Sequence, residues 1–365
     1  MFFKSLLVAG TASASCLHGI YKREEGAAIE LPNFGYEDTR GPLNWAALAP
    51  ENEACKAGKN QSPINIDSSV SYATEKPIIE IPQQAVEFEN LNTTIEVVVN
   101  GTTTFGGNQF ELAQFHIHTP SEHRINREYF PLEVHMVHKG IGKSSIFPPR
   151  HPPYPTPALI PSYDPYLKLT PPPADPTQLV VLALMFELCT QSSDPIIAGI
   201  TPHLDAIREP GSHTTIESGI DFSGVLSIVE SSNIFQYSGS LTTPPCSEGV
   251  TFLAVETPLK INVPDFNAIK KLVKYNSRLS QNTLGSDNII EVAAIGMETC
   301  ANNGTVPVFG GNSTAPVPVV EEEATPVEGA PEAGSTITIT EISGSPLPTD
   351  SHYAGVVQRG MRFRQ

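Results

Sequence analysis

At 365 residues, with 39% apolar residues, 34 prolines and 27 glycines, the chain can fill one large core and still have much left for loops. Its formal charge of −17 argues against nucleic acid or an anionic membrane surface as a partner. Beyond the N-terminus no apolar stretch is long enough for a membrane span.

The first stretch, "MFFKSLLVAGTASAS", reads as a secretory signal over residues 1–14: Lys4, a short apolar run, then Ala12-Ser13-Ala14 as a cleavage site. Lys22-Arg23 then ends residues 15–23 as a dibasic pro-segment, or is simply two surface cations. Asn60, Asn92, Asn100, Asn303 and Asn312 each head an N-x-[ST] acceptor triplet, in keeping with a secreted, extracellular protein. The cysteines are Cys16, Cys55, Cys189, Cys246 and Cys300. Loss of Cys16 with the pro-segment leaves four, which can pair in three ways.

Strand-like runs rich in β-branched and apolar residues occupy Thr94–Asn100, Pro131–Lys139, Leu179–Leu188 and Gly249–Ile261. One helix stands out, "VPDFNAIKKLVKYN", with Phe266, Ile269, Leu272 and Val273 at helical spacing behind Pro264-Asp265. The expected fold is a β-dominated α+β single domain over residues 33–300, built on a large, mostly antiparallel central sheet with a few short peripheral helices. A Pro-rich insertion at about 144–177 interrupts it, too rich in proline for a central strand or helix. Residues 301–365, biased to Pro, Glu, Thr and Ser, read as a disordered tail.

Half of the ten histidines fall in "AQFHIHTPSEH" and "EVHMVH". Strand alternation puts Gln114, His116 and His118 on one face, and Glu133, His135 and Val137 on one face of the next strand. If the strands pair, three imidazoles converge, a ligand set for catalytic zinc with a fourth position open. Gln114 and Glu133 then stand where they can take the second N–H of a ligand histidine. An H-x-H pair alone is also common in strands without metal. His123 and His138 read as internally hydrogen-bonded rather than as ligands.

Together with "GPLNWAAL", "KNQSPINI" and "SLTTPPCSEGVTF", these blocks resemble secreted alpha-class carbonic anhydrases, in that family's order across residues 34–300. The resemblance implies the alpha-carbonic-anhydrase fold and reversible hydration of carbon dioxide to bicarbonate and a proton by zinc-bound hydroxide. His116, His118 and His135 match its Zn2+ ligands, Gln114 and Glu133 match groups that support them, and Tyr36 matches a tyrosine in the hydrogen-bonded floor near the threonine Thr242. Thr242 and Glu122 match the hydroxyl and carboxylate that orient the attacking oxygen. Leu241, Val137 and Val181 match the apolar wall for CO2, and Thr243 the bicarbonate side. Cys55 and Cys246 match a disulfide of secreted relatives, which leaves Cys189 and Cys300 to form a second pair, by arithmetic alone, or to stay free or pair between molecules.

Fast family members carry a proton-shuttle histidine on an early strand. Here that position falls at Asn92 or Thr93, so proton export is expected to lean on buffer or on another residue. Two other readings compete: a carbonic-anhydrase-like binding or adhesion domain without catalysis, and a zinc esterase. A zinc protease is disfavoured, since no H-E-x-x-H occurs.

Overall fold

The computed structural model describes residues 28–141 and 178–301, with side chains as far as Ile295. The signal and pro-segments, the insertion, the tail, Cys16, Asn303 and Asn312 lie outside the described residues. In chain order the strands are β1 (Asn65–Ile66), β2 (Ile78–Glu80), β3 (Val86–Asn90), β4 (Ile95–Phe105), β5 (Asn108–His118), β6 (Arg124–Ile125), β7 (Glu128–Tyr129), β8 (Leu132–Gly140), β9 (Leu179–Cys189), β10 (His213–Ile216), β11 (Ile234–Ser240) and β12 (Glu248–Asn262). The large sheet runs β10-β3-β4-β5-β8-β9-β12-β11, with β2 beside β4, while β1, β6 and β7 form a small sheet. In the large sheet only β9 and β12 pair in parallel.

Both faces of this sheet are covered, which is why β9 reads "LVVLALMFEL" instead of alternating with polar residues. Val180, Leu182, Leu184 and Phe186 enter one core with Ile196, Ile200, Val225, Val229 and Ile269 from helices Pro195–Ile200, Ser223–Ser231 and Val263–Val273. Val181, Ala183 and Met185 enter a second core on the other face, with Val137 and Leu241. The functional residues lie on this second face.

The anticipated helix forms at Val263–Val273, where Asn262 caps it by accepting from the Asp265 N–H at 2.8 Å. Pro258 sits inside β12, but the β9–β12 register shifts between Val255 and Leu259, so its missing N–H falls where the ladder is already broken. The ends of the insertion meet: Gly140 N donates to Gln178 O at 2.8 Å. Of the alternatives for Cys189 the structure has the free thiol, with Sγ 3.6 Å from Gln191 O in its own turn, while the side chain of Cys300 lies outside those described.

Candidate metal centre

β5 and β8 pair antiparallel with His116 opposite His135 and His118 opposite Glu133. The pleat therefore sends all three imidazoles to one face, and one nitrogen from each lies within 4.8 Å of the others. All three are buried. Each ring is steered from behind: His116 Nδ1 lies 2.9 Å from Gln114 Oε1, and His135 Nε2 lies 2.7 Å from Glu133 Oε1. His118 Nδ1 lies 2.9 Å from the Asn276 carbonyl oxygen.

Burial holds the His116 pKa well below its usual 6.5, and the neighbouring His118 and His135 add to the effect. Burial also lowers His118, only partly opposed by Glu122. At His135 burial again favours the neutral ring, but the charge and hydrogen bond of Glu133 outweigh it and raise the pKa. Neutral rings offering lone pairs are what a divalent metal needs.

Glu122 is fully buried among them. Its Oε1 accepts from the Arg278 N–H at 2.9 Å. Its Oε2 has no hydrogen-bond partner and stands 3.5 Å from His118 Nε2, itself buried and unpartnered. The anticipated hydrogen bond from Thr242 is thus not formed in the structure. Thr242 and Thr243 are both buried in the turn after β11, where Cys246 N donates to Thr243 O. Cys55 and Cys246 are disulfide-bonded across a sequence separation of 191. Val137 and Val181 are directly opposed on β8 and β9, and share the second core with Leu241. Tyr36 meets Phe34 and Trp45 edge-on, in the aromatic cluster around the disulfide.

His123 spends both ring nitrogens on hydrogen bonds, Nδ1 at 2.7 Å from Glu133 Oε1 and Nε2 at 2.6 Å from the Tyr237 hydroxyl. Its proximity to Glu133 and His135 is therefore a hydrogen-bonded cluster. His138 lies on the opposite face, with Nδ1 3.3 Å from Val180 O. Asn92 is exposed at φ 67°, while Thr93 is buried and its carbonyl accepts from Asn276 Nδ2 at 3.0 Å. Asn60 and Asn100 are also exposed.

The sequence reading missed Asn276 and Arg278. The Asn276 side chain also accepts from Thr119 N and donates to Ile117 O, so it grips the end of β5 beside His118. The buried Arg278 guanidinium donates to Ser62 O, Cys55 O and Gln61 Oε1. It missed Glu96 as well, a buried residue on β4 that lies directly opposite His116.

The model of the family described as eukaryotic-type carbonic anhydrase matches residues 40–147 and 163–290, passing over part of the Pro-rich insertion. The chain belongs to the eukaryotic-type carbonic anhydrase family. A carbonic anhydrase of Pectobacterium atrosepticum is 28% identical over 255 residues, covering 68% of this chain and 86% of its own length. The structure of an alpha carbonic anhydrase from Aspergillus oryzae shares 36% identity with a TM-score of 0.60, over 72% of this chain and 98% of that one. The Thermovibrio ammonificans alpha-carbonic anhydrase, solved with the inhibitor sulfanilamide, shares 29% identity with a TM-score of 0.55, over 70% and 96%.

As a carbonic anhydrase the protein is a zinc lyase that interconverts carbon dioxide and bicarbonate. The tris-imidazole donor set fits zinc, and the unpartnered His118 Nε2 gives a buried lone pair with nothing else to satisfy it. Among the described residues no helix is long and apolar enough to cross a membrane.

Proposed function

We propose that His116, His118 and His135 hold the zinc, with Thr242 and Glu122 as the groups that direct the reaction. What carries this reading is the convergence of three buried imidazole nitrogens within 4.8 Å, each ring backed by its own acceptor. Zinc in such a site is a Lewis acid that makes hydroxide available near pH 7, chemistry for which carbonic anhydrase itself is the reference case.

The chain's own residues then do three things. Glu122 Oε2, a buried acceptor without a donor, accepts a hydrogen bond from the Thr242 hydroxyl when that side chain turns toward it. A threonine so committed can only accept from the attacking oxygen, which aims a lone pair at the carbon of CO2. Val137, Val181 and Leu241 supply the apolar wall for an uncharged substrate, and Thr243 the polar side for bicarbonate. Proton export has no titratable group at Asn92 or Thr93, so it depends on buffer or on another residue.

The N-terminal signal pattern and the Cys55–Cys246 bond support a secreted protein, with Asn60, Asn92 and Asn100 as exposed glycan acceptors. Stopped-flow CO2 hydration with wild type and His135→Gln tests the site. Hydration by wild type that a chelator or sulfanilamide removes, with zinc content and rate both lost in the variant, is the expected result. A variant that keeps zinc and rate would remove His135 from the ligand set.

A further inference from the structure

One row across the large sheet carries ionisable side chains from the metal centre to the edge. His213 on β10 stands opposite Glu89 on β3, and Glu89 stands opposite Glu96 on β4. Glu96 in turn stands opposite His116 on β5, which stands opposite His135 on β8. Residues directly opposite in antiparallel strands share a face, with Cβ atoms about 4.5–5.5 Å apart. The row therefore runs from His116 to His213 in three strand steps, about 15 Å in all. Past His135 it continues through Ala183, Ala254 and Phe235, none of which can carry a proton.

Burial changes along the row. Glu89 and Glu96 are 0% exposed, whereas His213 is exposed on β10, the outermost strand. Two carboxyl groups set side by side out of water are costly unless a proton lies between them. A carboxyl group can take a proton on one oxygen and give one up from the other, ending as it began. An imidazole can do the same with its two nitrogens, and its ordinary range near neutrality suits exchange with water. Each hydration of CO2 releases one proton, which has to leave the buried site before the next turnover.

We infer that this row is the proton exit: the proton passes to Glu96, on to Glu89 and then to His213, whose imidazolium gives it to solvent or buffer. Only bonds to the proton are made and broken, and every side chain returns to its first state. The inference rests on the hydration reading and supplies the group that Asn92 and Thr93 lack. Other titratable groups surround His213. β3 adds Glu87, the short helix Thr201–Ile207 packed on β10 adds His203 and Asp205, and Glu209 and Glu217 flank β10 in the chain. Asp205 is paired with Arg208 at 2.7 Å.

Oxygen-18 exchange tests the route, because interconversion of CO2 and bicarbonate at equilibrium needs no net proton export, whereas release of label into water does. His213→Ala should keep the interconversion rate and kcat/KM. It should lower label release and kcat at low buffer by about 100-fold, the low end for a positioned acid–base group. Concentrated imidazole buffer should restore both. Glu89→Gln should lower them equally, the double variant should be no worse than either alone, and His203→Ala should change nothing. Label release by H213A equal to wild type at low buffer, or a loss that imidazole leaves in place, overturns the inference. A second readout needs no turnover: in NMR spectra of the zinc-free protein, the His213 ring should titrate at lower pH in E89Q, which lacks the facing carboxyl. An unmoved titration overturns the contact that the route requires. If wild type interconverts no CO2 in any buffer, the hydration reading itself has failed.

Discussion

His138 gives the most quantitative test of the fold. It stands on the face of β8 away from the metal centre, between Leu112 and Val180 of the first core. Its Nδ1 has one long hydrogen bond and its Nε2 has none. Burial lowers its pKa to about 4. The unfolded chain therefore takes up a proton below about pH 6.5 that the folded chain refuses until about pH 4, and stability falls across that window as pH falls. At about 1.4 kcal/mol per unit, the loss from this one ring is about 2 kcal/mol at pH 5 and about 3 kcal/mol at pH 4. His138→Leu removes the term. Urea unfolding of both proteins from pH 7.5 to 4.5 should give curves that run parallel above pH 7. Below pH 6.5 they should separate in favour of the variant, by about 2 kcal/mol at pH 5. Groups common to both proteins cancel in the difference. Curves that stay parallel to pH 4.5 would show that the ring is not buried neutral, and the reasoning would fail.

Other consequences can be tested in the same preparations. Thr242→Ala should lower kcat for CO2 hydration about 100-fold or more with zinc content unchanged, as for loss of one directing hydrogen bond; an undiminished rate would acquit Thr242. Replacing both Cys55 and Cys246 by serine frees a closure of 191 residues, for which chain entropy alone gives about 5 kcal/mol, read by urea unfolding. A loss under about 1 kcal/mol would show the loop is held by other means. Asn92→His, on an exposed left-handed turn, should raise the hydration rate at low buffer and leave it unchanged at high buffer. No gain at low buffer would place the proton exit elsewhere.

What could be read from the sequence was local. Two strands with histidines at alternate positions declare their faces within a few residues, and β5 and β8 then only have to pair, as they do. The helix at Val263–Val273 announced itself by a proline start and an apolar stripe. The helix at Ile289–Ala301 was missed. What failed or stayed hidden depends on distant parts of the chain. The His118 partner is a backbone carbonyl 158 residues away, and a carbonyl has no side-chain signature. Arg278 looks like any surface cation in sequence, yet its guanidinium is buried against carbonyls because the fold brings them there. Pairing Cys189 with Cys300 came from counting, and counting carries no geometry.

The ligand strands are close in sequence, whereas their supports are not, and this has a consequence for how the protein is made. His116, His118 and His135 leave the ribosome within twenty residues of one another, but Asn276 and Arg278 come some 140 residues after His135. At roughly 5–20 residues per second, that interval is on the order of ten seconds. During it the nascent chain presents three imidazoles while the acceptor for His118 and the backbone N–H for Glu122 do not yet exist. Imidazoles unconstrained in this way take copper or nickel as readily as zinc, since selectivity comes from enforced geometry rather than from affinity order. The groups that fix His118 and Glu122 therefore belong to the last stretch of the domain to emerge.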